Sequence, residues 1–233
     1  MPDIFPSSPA DGTHTFDDFH SNSATSTGLL GSLDWLRTTI NNASTATFVA
    51  SQNGVMRLVT AGALNDGEAV YLMADKVTLA NGNGVIIRFR VRLGTTITGN
   101  NFRIGLDDSV TATDGVVGIF VVSNEGVLTF DVASSNGDQT KTVTGVTTLT
   151  SGTTMVVNTW HDIELKLSGT NSNGGPDQID CFVDGEPAGS IKNSLLGSTE
   201  TMEYKIVHWD TSGGGTAQVF EIDYYEVYIP RAH

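Results

Sequence analysis

Three segments in the last third of the chain carry β-strand signals, and the first of them alternates apolar and polar side chains with the two-residue period of a half-buried strand. They are Trp160–Leu167, Asp180–Val183 and Glu221–Ile229. In the first of them Ile163 and Leu165 point to one side, and the charged residues between them point to the other. Such strands must bury one face against a second layer, so the chain is predicted to form a β-sandwich.

The same segments resemble parts of a known superfamily. A strand opened by Trp160, a strand ending in Val183-Asp184-Gly185, and a closing strand over Ile222–Ile229 are similar to strands of the concanavalin A-like and laminin G-like jelly rolls. Asp and Gly tolerate the positive φ that a tight hairpin turn needs. The resemblance implies an all-β fold, a two-sheet antiparallel β-sandwich of the concanavalin A-like jelly-roll type. It implies little about chemistry, because one fold carries many functions.

Length and proline content suggest how the chain is divided. At 233 residues it suits one large sandwich with an N-terminal extension. Pro2, Pro6 and Pro9 disfavour a helix at the N-terminus. We therefore predict an extended arm over residues 1–13 and a single sandwich domain over residues 14–233.

Composition excludes several classes of partner. The net charge is −14, from 26 acidic and 12 basic residues, which opposes binding to nucleic acid or to anionic lipid. No apolar stretch is long enough to span a bilayer. The N-terminus has neither the basic start nor the apolar core of a signal peptide, so synthesis in a host cytoplasm is expected. Cys181 is the single cysteine and is predicted to be a buried hydrophobe.

One short motif suggests catalysis. Glu221-Ile-Asp-Tyr-Tyr-Glu226 is similar to the E-x-D-x-x-E motif of family-16 glycoside hydrolases. That resemblance implies a nucleophile at Glu221, a helper at Asp223 and a proton donor at Glu226. A bulge would have to shift the strand before Glu226 could share a face with the other two. Because few residues follow the motif to wall a cleft, we expect a closing strand without enzymatic activity.

A second strand carries three arginines on one face. Arg88, Arg90 and Arg92 alternate with apolar residues. Such a ladder suits an acidic glycan or a partner's carboxylates, since guanidinium groups bind carboxylates bidentately. The alternative, which we favour, is pairing with the protein's own surplus of Asp and Glu. Among the tryptophans, Trp160 is expected in the core, and Trp209, beside a glycine-rich turn, is the candidate ligand platform.

Three aspartates have the oxygen ligands that calcium prefers. Asp107 and Asp108 follow a strand, and Asp210 precedes the glycine-rich turn. Aspartates in turns also cap the backbone. Calcium is therefore left open, and no other cofactor is predicted.

These observations predict a non-enzymatic structural component of a virus particle, a bacteriophage head-decoration, fibre or tail protein displayed at the virion surface. Its partners would be other virion proteins and copies of itself in a homo-oligomer. One alternative is a carbohydrate-binding, lectin-like module for a cell-surface glycan, which is compatible with the same location. A third hypothesis is a family-16-like polysaccharide hydrolase.

Overall fold

The computed structural model of the protein describes residues 12–19, 35–41, 44–49, 54–79, 83–94, 96–108, 117–150, 152 and 154–230. Within these residues no helix is long and apolar enough to cross a membrane. The strands are β1 (Gly12–Asp17), β2 (Leu36–Ile40), β3 (Thr45–Val49), β4 (Val55–Val59), β5 (Gly67–Thr78), β6 (Ile86–Leu93), β7 (Asn100–Asp107), β8 (Gly118–Asn124), β9 (Val127–Ala133), β10 (Gln139–Thr142), β11 (His161–Ser168), β12 (Gln178–Val183), β13 (Glu186–Lys192), β14 (Thr201–Asp210) and β15 (Val219–Pro230).

The described strands form an eight-stranded and a seven-stranded antiparallel sheet that enclose one hydrophobic core. The eight-stranded sheet has the order β13-β12-β11-β6-β15-β4-β3. Its eighth strand, β1, pairs with the second part of β15, whereas β4 pairs with the first part. The seven-stranded sheet has the order β10-β9-β8-β7-β14-β5-β2. The predicted two-sheet antiparallel β-sandwich is confirmed.

The predicted boundary of the N-terminal arm needs a correction. Residues 1–11 lie outside the described part of the chain, but Gly12 and Thr13, placed in the arm from the sequence, already belong to β1. The backbone of β15 offers hydrogen bonds along this edge, and β1 occupies it. At the end of β1 the Asp17 carboxylate accepts a hydrogen bond of 2.9 Å from the indole N–H of buried Trp35. This strand is therefore tied into the sandwich.

β15 contains a β-bulge at Asp223, where the register with β6 shifts between Ile222 and Tyr224. A bulge adds one residue to one strand and reverses the alternation beyond it. Ile222 and Tyr225 consequently both point into the core, although three positions separate them. Glu221 and Tyr224 both point outward, opposite arginines of β6. The phase shift that the sequence suggested is present, but the apolar series of the sequence placed Tyr224 in the core, whereas the bulge turns Tyr224 outward and Tyr225 inward.

Tyr225 links the two sheets across the core. Its hydroxyl donates a hydrogen bond of 2.7 Å to the backbone carbonyl of Gly105 in β7. Its ring lies 6.2 Å from that of Phe89 and 5.8 Å from that of Tyr204. Burial raises the pKa of Tyr225 well above its ordinary value, so the hydroxyl remains a donor. The eight-stranded sheet is thereby fixed to the centre of the seven-stranded sheet.

Gly105 has a backbone conformation that fits glycine alone. Its φ is +152°, and a Cβ atom there would lie 2.2 Å from the carbonyl oxygen of Ile119. Gly185, in the hairpin after β12, also has a positive φ of +82°, but a Cβ there would meet nothing within 4 Å. A comparison of substitutions at the two glycines therefore distinguishes the cost of a positive φ from the cost of steric overlap.

We expect Gly105→Ala to lower the free energy of unfolding by about 3 kcal/mol, because strain and overpacking act together. Gly185→Ala should cost about 1 kcal/mol, since only the positive φ is penalised. Urea unfolding of both variants beside the wild type gives the comparison. Equal losses would contradict the close contact between β7 and β8 at this glycine.

Candidate functional site

The outer surface of the eight-stranded sheet carries most of the ladder and motif residues singled out from the sequence. We call this surface the charged face. It consists of the outward side chains of β6, β11 and β15 with their neighbours Arg57, Trp160 and Phe182. The sheet register places β6 between β11 and β15. The arginine ladder therefore lies between two strands that carry carboxylates.

Two arginines of the ladder pair with carboxylates on adjacent strands. Arg88 contacts Glu164 of β11, and Arg92 contacts Glu221 of β15. The Glu221 side chain is only 2% exposed and also accepts a hydrogen bond from Nε of Arg57, 2.7 Å away. Charge-assisted hydrogen bonds of this kind offset the cost of removing a carboxylate from water. The structure thus contains the cross-strand pairs that the sequence favoured.

Arg90, the third arginine of the ladder, lies between two aspartates. It is 3.4 Å from Asp223 in the bulge and 3.8 Å from Asp162 of β11. Its guanidinium also lies 5.8 Å from the ring centre of Trp160, and that of Arg92 lies 4.6 Å from it. Trp160 is half-buried beneath these cations, which is a cation–π arrangement. The expectation that it would pack in the core was therefore wrong.

The two glutamates of the hydrolase-like motif have different partners. Glu221 lies opposite Arg92, and Glu226 lies opposite Arg88, four residues away along β6. This separation is roughly 13 Å along the strand. Glu226 is instead bound to His14 of β1, at 2.7 Å, whereas Glu221 is bound by Arg57 and Arg92.

A groove of about 310 Å³ opens on the charged face between β15 and β12. Its lining includes Arg88, Asp162, Glu164, Lys166, Phe182 and Tyr224. The groove therefore combines two aromatic rings with two cations and two carboxylates. Of these six residues, the sequence analysis named Arg88 as a candidate. The alternating charges of β11 were the signal that could have identified Asp162, Glu164 and Lys166.

The polar groups of the groove bind one another. The Tyr224 hydroxyl reaches across β6 and donates a hydrogen bond of 3.0 Å to Asp162. Burial, and then the nearby Asp162 charge, raise the pKa of Tyr224 above its ordinary value, so the phenol stays neutral. The Lys166 ammonium lies 2.8 Å from Glu164 and 4.6 Å from the centre of the Phe182 ring. The groove is consequently preorganised and its charges are balanced.

Trp209, the ligand platform predicted from the sequence, lies elsewhere. It is half-buried on β14, opposite Gly67 and Asn101. β14 belongs to the seven-stranded sheet. Because the charged face is on the other sheet, Trp209 and the arginine ladder do not share a surface.

The three calcium candidates make contacts within the protein. Asp107 lies 3.2 Å from Arg103 and 3.3 Å from Lys205. Asp108 accepts a hydrogen bond from the backbone of Val117, and Asp210 accepts two from Ser212. Among the described residues, no group of three or more His, Cys, Asp or Glu side chains could hold a metal ion. The structure does not bring these aspartates into a common site.

The seven-stranded sheet carries a buried ionic cluster that the sequence analysis missed. Arg103 and Lys205 lie almost completely buried on either side of Asp107. Burial lowers the pKa of both basic groups, and the charge of Asp107 opposes that shift. The Arg103 guanidinium also lies 4.9 Å from the ring centre of Phe120. The signal was the polar alternation in β7 and β14, which places these groups side by side.

Two further titratable side chains are sealed in the core. Burial raises the pKa of the Cys181 thiol to about 12, so a reactive thiolate does not form at neutral pH. Burial lowers the pKa of His208 to about 3, and its Nε2 bonds to Asn100 at 2.9 Å. Both groups are therefore neutral parts of the interior, which agrees with the sequence prediction for Cys181.

Comparisons with known proteins identify the fold of the chain but do not identify its family. No protein-family model matches the sequence, and a search of curated proteins finds no match. Solved structures do match. The carbohydrate recognition domain of Emp47p aligns with a TM-score of 0.60 and 11% identity, over 96% of this chain and 99% of that domain.

Two other structures align over similar lengths. The endo-β-1,4-glucuronan lyase of the fungus Trichoderma reesei gives a TM-score of 0.53 and 12% identity, over 94% of this chain and 95% of that enzyme. A protein of unknown function from Shewanella oneidensis MR-1 aligns with a TM-score of 0.57 and 12% identity, over 96% of this chain and 90% of that protein. At such identities the likeness shows the fold alone. The protein has the jelly-roll architecture of lectin-like domains.

Proposed function

We propose that this protein is a non-enzymatic carbohydrate-binding module whose ligand occupies the groove on the charged face. The observation that carries the proposal is the composition of that groove. Phe182 and Tyr224 supply flat apolar surfaces, and the four charged side chains between them supply oriented hydrogen-bond donors and acceptors. Sugars combine apolar C–H faces with rings of hydroxyl groups, so they match such a surface. The alignment with a carbohydrate recognition domain supports the same class of ligand.

The ion pairs of the groove favour binding over catalysis. A general acid or a nucleophile must exchange a proton or form a bond with the substrate. Glu221 is enclosed by two arginines, and Glu226 is bound by His14. The two carboxylates that do line the groove, Asp162 and Glu164, are each bound by a neighbour. These contacts support a surface that holds a ligand without turnover.

The proposed location is the outside of a virus particle, where the sandwich would be displayed as part of a bacteriophage head decoration, fibre or tail. Support for this location comes from the sequence. The chain has a net charge of −14 and a single cysteine, which is buried, so its fold requires no disulfide. Outward display of a glycan-binding face would bring the particle to a cell surface.

Light scattering tests the structural part of this proposal. Most soluble assemblies of one chain are closed and symmetric, so a virion component of this kind is expected to elute as a defined multimer. A variant lacking residues 1–11 should keep the same melting temperature, because β1 begins at Gly12. If the arm docks neighbouring copies, this truncated variant should no longer form the multimer. A monomer at every concentration would contradict the assembly role and leave glycan binding to be judged separately.

For glycan binding, we expect Phe182→Ala to weaken affinity about tenfold, since it removes one stacking surface from the groove. Trp209→Ala is the matched control, because it removes an aromatic from the opposite sheet. Isothermal titration with laminarin, mixed-linkage β-glucan and agarose oligosaccharides measures both variants, with thermal melts as a check on folding. A loss in the Trp209 variant with full binding in the Phe182 variant would move the site to the seven-stranded sheet. Release of reducing ends by the wild type would establish an enzyme instead.

A further inference from the structure

We propose that the ligand is an extended, uncharged glycan chain that lies across the strands of the charged face and ends on Phe16 of β1. This inference rests on the proposed function and adds two properties to it. The first is the chemical class of the glycan. The second is a binding position on β1, outside the groove.

The balance of charge on the face indicates an uncharged ligand. Each described basic side chain of β4, β6 and β11 on this face contacts a carboxylate: Arg57 and Arg92 contact Glu221, Arg88 and Lys166 contact Glu164, and Arg90 contacts Asp162 and Asp223. An acidic sugar would have to share one of these cations with a carboxylate that already binds it, or displace that carboxylate. Glu221 and Glu164 are largely shielded from water, so releasing either from its cation would leave a poorly solvated charge.

A neutral sugar needs no such separation. An ion-paired carboxylate keeps lone pairs that accept hydrogen bonds from hydroxyl groups, and a paired guanidinium keeps spare N–H donors. The protein's net charge of −14 also repels polyanions at long range. Both effects select against uronic acids and sulfated sugars and leave neutral sugars unaffected.

The register of the sheet gives the direction and length of the site. One row of outward residues crosses five neighbouring strands in the order Phe182, Glu164, Arg88, Glu226 and Phe16. Four steps between strands span roughly 19 Å. The row begins and ends with an aromatic ring, and its three central residues are charged and paired. A chain that lay along this row would meet hydrogen-bonding groups in the middle and an apolar surface at each end.

Phe16 is the second observation that points to this arrangement. It is 45% exposed, which makes it one of three large hydrophobic side chains that the described residues leave exposed. Its ring lies 6.3 Å from the ring of Tyr224, at an angle of 33°. The two rings therefore continue the apolar surface of the groove onto β1. The other two exposed side chains, Leu64 and Val127, lie outside the charged face.

The test compares Phe16→Ala with Leu64→Ala, a second exposed hydrophobic residue that does not belong to the face. Calorimetry is run with neutral laminari- and cello-oligosaccharides of two and six units, and with hexamers of polygalacturonate and carrageenan. We expect the wild type to bind the neutral hexamers, with affinity changed less than twofold between 20 mM and 500 mM NaCl. Phe16→Ala should weaken hexamer binding at least fivefold and leave dimer binding unchanged. Leu64→Ala should alter neither.

Each other outcome has a distinct meaning. Tight, salt-sensitive binding of the acidic hexamers would overturn the uncharged ligand and leave carbohydrate binding intact. Equal binding of dimers and hexamers, with no effect of Phe16→Ala, would overturn the extended site on β1. Binding of no glycan of either class by correctly folded wild type would overturn the proposed function itself, and this inference with it.

Discussion

The bulge at Asp223 is the constraint on which both the core and the charged face depend. Without an extra residue, a strand that places Ile222 in the core would place Tyr224 there too and turn Tyr225 outward. The observed register does the reverse beyond the bulge. Tyr225 can then donate its hydroxyl to Gly105 in the opposite sheet. Tyr224 is left outside, where it reaches Asp162 and forms one side of the groove.

The side chains of the charged face are held in place by ion pairs that are partly shielded from water, and this shielding strengthens them. Exposed ion pairs contribute about 0 to 1 kcal/mol each and constrain little. Glu221 is different, because its side chain is 2% exposed and lies between two guanidinium groups. Removing one partner of such a set leaves a desolvated charge, which costs several kcal/mol. The same pairs that fix the arginines therefore neutralise the surface on which the proposed ligand lies.

The sequence predicted the architecture well because alternation is a local property. The two-residue period and the hairpin at Asp184-Gly185 were enough for a two-sheet sandwich. The apolar series of the last strand suggested a bulge but placed Tyr224, rather than Tyr225, in the core. The arginine ladder was likewise placed on one face. Its individual partners could not be predicted, since they depend on which distant strands lie beside β6. Trp160 was misplaced although it is in phase with Asp162 and Glu164, because a large aromatic side chain is more often buried in the core of a sandwich.

The N-terminal strand shows the same limit. Nothing local to Gly12–Asp17 reveals that the free edge of β15 is available to it, because that edge exists only after the rest of the sheet has formed. The predicted arm, which was drawn from proline content, therefore ends at residue 13, two residues beyond the point where β1 begins. Phe16 could not be recognised as a surface residue for the same reason. Its role in the site follows from tertiary pairing with Glu226 and from the nearby ring of Tyr224.

The central claim is that the outer face of the eight-stranded sheet is a ligand surface. An amide NMR titration of the isotopically labelled protein with a neutral laminari-hexaose tests it most directly, because every described strand reports separately. We expect shift changes that follow the row from β12 through β11, β6 and β15 to β1, with β7 and β14 unchanged. Changes concentrated on the seven-stranded sheet, around Trp209 or the Arg103–Asp107–Lys205 cluster, would contradict it.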